Sequence, residues 1–319
     1  MIFLMKKMAY LILMLLLISI VSFLAIHIAP NSFLGAGELN PNMTEAAIAK
    51  LKAVYGLDKP LLVQYLEWMK SMLTFHFGVS FVSGEDVSTE IIKRIPVTLF
   101  MNFISLIAVF VLSIALGVKA AVHNGQKSDH LIRQFSLFSF SMPSFYLALL
   151  FIILFSVNLG WFPFSGLHSI EPKEGVANYL DMAWHLVLPI GVMVFVGVGS
   201  MVIYIRSLTL EILKSDYYFF AKARGLDEKV ILRRYILPNL LPPVVTLLGL
   251  SLPGLIGGSV ILESIFGIDG MGRFFYLSAM SRDYPVIMGI LMITAFLTLF
   301  GNMIADMILL KLNPYAKRS

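Results

Sequence analysis

Apolar residues in this chain gather into long runs, and the charged residues are confined to the stretches between them. Six runs, at 8–28, 97–122, 134–159, 184–205, 241–262 and 285–310, approach or exceed the roughly 20 residues a helix needs to cross a hydrocarbon core about 30 Å thick. The pattern predicts an all-α integral membrane protein of about six transmembrane helices. Two intervening stretches are too long to be simple connectors. The first, 29–96, carries helical signals of its own: Thr44 can cap TEAAIAKLKAVYG, which Gly56 can end, and Pro60 can open PLLVQYLEWMKSML. The second, 206–240, is short of apolar length but rich in charge. The chain therefore divides into 1–96, a first transmembrane helix with a helical outer loop, and 97–319, five transmembrane helices with the 206–240 loop among them.

The first run follows Lys6 and Lys7, as a secretory signal would. It is longer than the apolar region of such signals, and FLAIHIAPNS offers no small-x-small cleavage site, so a retained anchor is expected. Basic residues set the orientation, because short cytoplasmic loops are enriched in Lys and Arg. With the N-terminus inside, the inner loops hold Lys119, Lys127, Arg133, Arg206, Lys214, Lys222, Arg224, Lys229, Arg233 and Arg234, and the C-terminal tail adds Lys311, Lys317 and Arg318. The short outer loops hold only Lys173, Arg273 and Arg282. Both termini are expected to be cytoplasmic.

Composition sharpens this picture. With 58% hydrophobic and 13% charged residues, the chain departs far from the roughly 25% charged content of a soluble domain. The net charge of +5 lies in loops and follows membrane orientation, which argues against nucleic acid as a partner. There are no cysteines, so disulfides and thiolate metal sites are excluded. The six histidines show no metal-ligand spacing, and no metal site is expected. No G-x-S-x-G nucleophile motif and no G-x-x-x-x-G-K-[ST] nucleotide-binding loop occurs.

The 206–240 loop carries the most information. From Ser207 to Pro243 it reads SLTLEILKSDYYFFAKARGLDEKVILRRYILPNLLPP. A helix should end at Gly225, which can take the left-handed cap, and a second should open at Asp227 and end before Pro238. The expected surface mixes Phe219, Phe220, Leu226, Val230 and Ile231 with Lys222, Arg224, Arg233 and Arg234. Such a surface suits a groove on a soluble partner or an anionic lipid surface equally well.

AKARG, with LPN and PP following, resembles the EAA loop of ABC import permeases. GLSLPGLIGGSVILESIFGIDGMGRFF, SRDYPVI, YGLDKPLLVQYLEWM, HFGVSF, RIPVTL, FSMPSFYLALL, LGWFP and NPYAKR extend the likeness over nearly the whole chain. Together they resemble the B-type permease subunit of the dipeptide/oligopeptide/nickel branch. The resemblance implies a coupling loop formed by Asp216, Ala221, Ala223, Arg224, Gly225, Leu226, Asp227, Pro238 and Asn239. It implies ABC ATPase subunits that use ATP and Mg, a second related permease subunit in a heterodimer, and an extracytoplasmic solute-binding protein. It further implies residence in the lipid bilayer of a bacterial cytoplasmic (inner) membrane, no enzymatic role and no cofactor on this chain. Small peptides are the expected cargo and a nickel chelate the alternative; a secondary transporter working without ATP is the rival of a different class. Two positions depart from the family pattern: Phe219 and Phe220 replace a polar pair, and Tyr235 replaces a histidine.

Elsewhere, Glu263 is expected at the outer interface, as a gate or paired with Arg273 or Arg282. Asn302 and Asp306 share a helix face one turn apart, suited to interhelical hydrogen bonds or to the pathway. Gly254, Gly257 and Gly258 suit close helix approach or a cavity wall, and Pro143 should kink the third span. The loop charges predict that reporter fusions at Lys70, Lys173 and Arg282 read outside and those at Lys127, Lys222 and Lys317 read inside. An outside signal at Lys222 would overturn the topology.

Overall fold

The computed structural model describes residues 2–28, 59–171, 173–252, 254–257 and 259–312. In chain order the helices are α1 Ile2–Ile28, α2 Leu61–Leu73, α3 Val87–Val122, α4 Lys127–Ser141, α5 Ser144–Phe151, α6 Val176–Leu213, α7 Asp216–Ala223, α8 Glu228–Ile231, α9 Leu237–Ser251, α10 Gly254–Gly257, α11 Val260–Ile265, α12 Met271–Ser281 and α13 Tyr284–Leu312. Wide π-helical turns occupy Ile152–Asn158 and Leu232–Ile236. No strand occurs among the described residues beyond one antiparallel bridge, Val79 with Asp86. The Thr44-capped segment, Gly258 and the NPYAKR stretch lie outside the described residues. Pro60 precedes α2 as expected, supplying an N-cap whose carbonyl accepts from Val63 and Gln64.

The chain forms two compact units, 1–96 with 270–300, and 97–269 with 301–319. In the first, α1 meets α2 through Phe23, which packs on Tyr65 and Trp68, and through Ser19, whose hydroxyl lies 2.8 Å from that of Tyr65. Buried Asp283, between α12 and α13, accepts from the Ser80 hydroxyl at 2.5 Å and the Phe81 amide at 3.1 Å. That carboxylate holds the HFGVSF turn, a contact across about 200 residues of sequence that no local pattern announces.

Membrane-crossing capacity matches the apolar pattern in part. Among the described residues, four helices are long and apolar enough to span: 7–25 of α1, α3, α6 and 284–304 of α13. The third apolar run departs from a straight span, since α4 and α5 meet at a bend of 103°. Each limb, of about 15 residues, is roughly 22 Å long, short of the ~30 Å core. Pro143 stands at the bend as the N-cap of α5, where its missing N–H costs no helical bond. The fifth run, 241–262, is not one helix: it breaks into α9, α10 and α11. The sequence explains this, because proline at 253 and glycines at 254, 257 and 258 interrupt the apolar run with the poorest helix formers.

In the second unit α4 lies along α6 with almost no space between them. A Cβ built on Gly199 would sit 2.6 Å from the Phe140 amide nitrogen and 2.7 Å from the Ser136 carbonyl oxygen. Gly197 faces Val109, and Gly117 faces Ile205, at 2.7 Å each. Small residues thus let backbones approach, as membrane helix pairs require. Gly254, one of the three glycines in the fifth run that suit close approach by sequence, instead has open space at its Cβ position. Ser139 of α4 donates to the Phe195 carbonyl of α6, adding a polar tie. Gly199→Ala should therefore lower stability by about 1–3 kcal/mol through forced separation of α4 and α6, whereas Gly254→Ala should change it little. Thermal unfolding of both variants in one detergent checks the contrast.

Candidate coupling site

Helix α6 has 38 residues, about 57 Å at 1.5 Å per residue, nearly twice the hydrocarbon thickness. It therefore leaves the bilayer as a continuous rod and delivers the chain to the 206–240 loop. Where α6 emerges, Arg206 places its guanidinium fork on Asp129, with Nε 2.7 Å and Nη2 2.8 Å from the two carboxylate oxygens. Nη2 also donates to Asn124 Oδ1, and the Gly125 amide donates to Asp129 at 3.0 Å. A bidentate pair of this kind fixes direction as well as distance. It binds the 123–129 turn to α6 across 77 residues of sequence. Asp129 was not singled out from the sequence, although it is the one carboxylate between α3 and Arg133 in a basic loop.

After α6, Ser215 enters extended geometry and α7 begins, with Asp216 in its first turn, where a negative charge complements the helix dipole. The helix ends as the sequence indicates. Gly225 takes φ +68°; its amide donates to the Lys222 carbonyl at 3.0 Å, and the Leu226 amide reaches back to the Ala221 carbonyl at 3.4 Å. These two bonds define a Schellman turn. Its usual apolar contact is present: Ala221 is buried among Ile205, Val118, Ile231, Ile236 and Leu240, and Leu226 packs against the same cluster.

The turn sorts the loop into two faces. Phe219 and Phe220 are about two-thirds exposed, and Tyr217, Lys222, Ala223, Arg224, Arg233 and Arg234 are also exposed. Ile231, expected on that surface, is instead buried, and Leu226 is half-buried, because both serve the cluster beneath the turn. Asp227 precedes α8 in extended geometry and its carbonyl receives Val230 and Ile231, but its side chain makes no cap bond.

The second helix does not end before Pro238. After α8 the backbone widens into the π turn and continues as α9, with Pro238 in the first turn. Proline is tolerated there because an opening turn needs no amide donor, and the widened turn makes room for the ring. Asn239 donates its side-chain amide to the Tyr235 carbonyl at 2.7 Å, satisfying a group in the disturbed turn. A leucine-rich, proline-containing segment therefore runs without a stop from the Gly225 turn into the fifth apolar run.

The other candidates are scattered through the fold. Glu263, expected at the interface, is wholly buried in the second unit, where Thr98 donates to it at 3.1 Å. Ser259 caps the same helix, accepting from the Leu262 amide. Asn302 and Asp306 lie half-buried one turn apart on α13. Gly257 ends the short α10. Beside α10 lies a cavity of about 300 Å³ lined by Asn102, Ser105, Met193, Met201, Ser251 and Gly254, and Asn102 donates to the Leu255 carbonyl at 2.8 Å. His27, His123 and His185 each place Nδ1 against the carbonyl four residues earlier, a structural use of the ring.

Comparison with known families decides the identity. Residues 113–318 match the family described as binding-protein-dependent transport system inner membrane component, and residues 1–102 match its N-terminal companion. The chain belongs to this family of importer permeases. It is 37% identical to the oligopeptide transport system permease protein AppB of Bacillus subtilis strain 168, over 93% of each chain. It is 32% identical to the di/tripeptide transport system permease protein DppB of Pseudomonas aeruginosa strain UCBPP-PA14, again over 93% of each. With the metal-staphylopine import system permease protein CntB of Staphylococcus aureus strain NCTC 8325, identity is 31% over 98% of this chain and 97% of that one. Among solved structures, the inward-facing MetNI methionine ABC transporter shares the fold, with a TM-score of 0.53 at 19% identity, covering 70% of this chain and 96% of that one. The permease is thus a multi-pass helical membrane protein of the peptide/nickel branch.

Proposed function

We propose that this permease forms half of the passage for small peptides in an ATP-driven importer. The observation that carries the mechanism is the Schellman turn at Gly225. It presents Phe219 and Phe220 outward while Ala221 anchors the same helix to the ends of α3, α6 and α9. A partner that grips the aromatic pair and moves would move those helix ends as a body, a rigid switch between two packed arrangements. The partner in this reading is an ABC ATPase subunit, which binds and hydrolyses ATP with Mg. The permease itself binds no cofactor and performs no covalent chemistry.

Two such ATPases, a second related permease paired as a heterodimer and an extracytoplasmic solute-binding protein complete the machine, in a bacterial inner membrane with both permease termini cytoplasmic. Peptides are favoured over a nickel chelate by the higher identity to peptide permeases. The pathway wall is assigned to the face bearing Asn102 and Ser105, whose largely apolar cavity would hold a peptide only weakly and so let it pass. Pro143, Gly257, Gly258, Glu263, Asn302 and Asp306 are assigned to positioning and gating.

The docking turn supplies the test. A Cβ at Gly225 would meet nothing within 4 Å, so substitution there acts through backbone geometry alone. Valine is a genuine outlier at positive φ, whereas Arg224 is an exposed charge whose ion pairs are each worth about 0–1 kcal/mol. At matched membrane levels, Gly225→Val should lose most ATPase co-purification and substrate-stimulated ATP hydrolysis, and Arg224→Ala should retain most of both. Normal transport by Gly225→Val would overturn the docking role.

A further inference from the structure

A groove of about 570 Å³, which Phe219 and Phe220 do not line, opens within the second unit between α3 and the loop. Val111, Ile114, Ala115 and Val118 line one wall, and Ile231, Leu232 and Ile236 line the other. From Val111 to Val122 the helix rises about 16 Å, close to half of the ~30 Å hydrocarbon core and so to the depth of one leaflet. The lining changes character at the end where α3 leaves the bilayer. There it consists of Lys119, His123, Lys222 and Lys229, with Glu228 as the one carboxylate in the lining.

Lys119, Lys222 and Lys229 are exposed, and among the described residues none forms an ion pair. The groove therefore joins an apolar trough of leaflet depth to a cluster of unneutralised ammonium groups on the inner face. That polarity matches one kind of molecule: an apolar chain ending in an anion. A basic pocket between helices on the cytoplasmic side is the arrangement that binds anionic head groups.

We propose that this groove holds one anionic phospholipid of the cytoplasmic leaflet, with an acyl chain along Val111, Ile114 and Val118 and the phosphate among Lys119, Lys222 and Lys229. The assignment rests on reading 206–240 as the cytoplasmic loop. Its consequence is mechanical: Lys222 belongs to α7 and Lys119 to α3, so a bound phosphate bridges the docking helix to a span that it already meets through the apolar cluster of Ala221 and Val118. Seating of α7, and hence coupling, then depends on the anionic lipid content of the membrane.

The experiment uses the assembled importer, purified in mild detergent, stripped of lipid and titrated with dioleoyl phosphatidylglycerol, dioleoyl phosphatidylcholine or glycerol phosphate. Native mass spectrometry counts retained molecules. The unaltered complex should retain phosphatidylglycerol in preference to phosphatidylcholine, and glycerol phosphate should not compete. Lys119→Gln with Lys229→Gln should weaken phosphatidylglycerol retention about tenfold or more, near the effect of two lysines at an anionic surface. Ala115→Phe, which fills the trough without changing charge, should weaken it as well. Equal retention of the two lipids, or unchanged retention in the lysine variant, would overturn the proposal, and competition by glycerol phosphate would reassign the lysines to a free phosphate site. A polypeptide occupant would also overturn it, and the cysteine-free background makes that arm simple: Ile114→Cys would then crosslink to another subunit. ATPase co-purification, followed in the same preparations, reports separately on the docking turn.

Discussion

Inside a bilayer every backbone amide and carbonyl must find its partner within the protein, and this permease is organised around meeting that demand where its helices break. Along the unbroken spans most of these groups pair within the helix, apart from the turns at Pro96 in α3 and Pro189 in α6. At the interruptions, side chains stand in: Asn102 donates to the Leu255 carbonyl beside α10, Ser259 accepts the Leu262 amide at the start of α11, and Asn239 covers the Tyr235 carbonyl in the π turn. Because these partners come from identified side chains, the breaks have defined geometry.

That division of labour links the 206–240 loop to the apolar runs. The long helix α6 carries the loop at one end, and the π turn leads from the Gly225 turn into α9 and the broken fifth run. Arg206 on Asp129 keeps the base of the loop aligned with α4, which Gly199 lets lie flush against α6. In the proposed mechanism, a displacement imposed at α7 would pass along these contacts toward the Pro143 bend. The cavity beside Asn102 sits next to α10, in the broken fifth run.

Much of this was legible from residues alone, and the exceptions share a cause. The apolar runs announced the spans, Gly225 announced its turn, and Pro60 and Pro143 announced a helix start and a bend. Hydropathy could not see that the fifth run breaks, since PGLIGG remains apolar while being a poor helix. Nor could it see Asp129 with Arg206, or Asp283 with Ser80, because each pair meets through the fold at large sequence separation and neither residue carries a local signature. Ile231 and Leu226 read as surface from their loop setting, but the Schellman turn folds them under α7. The close-packing glycines, 117, 197 and 199, were hidden inside long apolar stretches where small residues attract no notice.

The central claim is that these helices convert closure of an external ATPase into opening of a peptide passage. Its most direct test is uptake into proteoliposomes containing this permease with its partner permease, ATPases and binding protein. Labelled peptide should accumulate only when all components and hydrolysable ATP are present, and should stop when ATP is replaced by a non-hydrolysable analogue. Accumulation by this chain alone, driven by an ion gradient without ATP, would contradict the account.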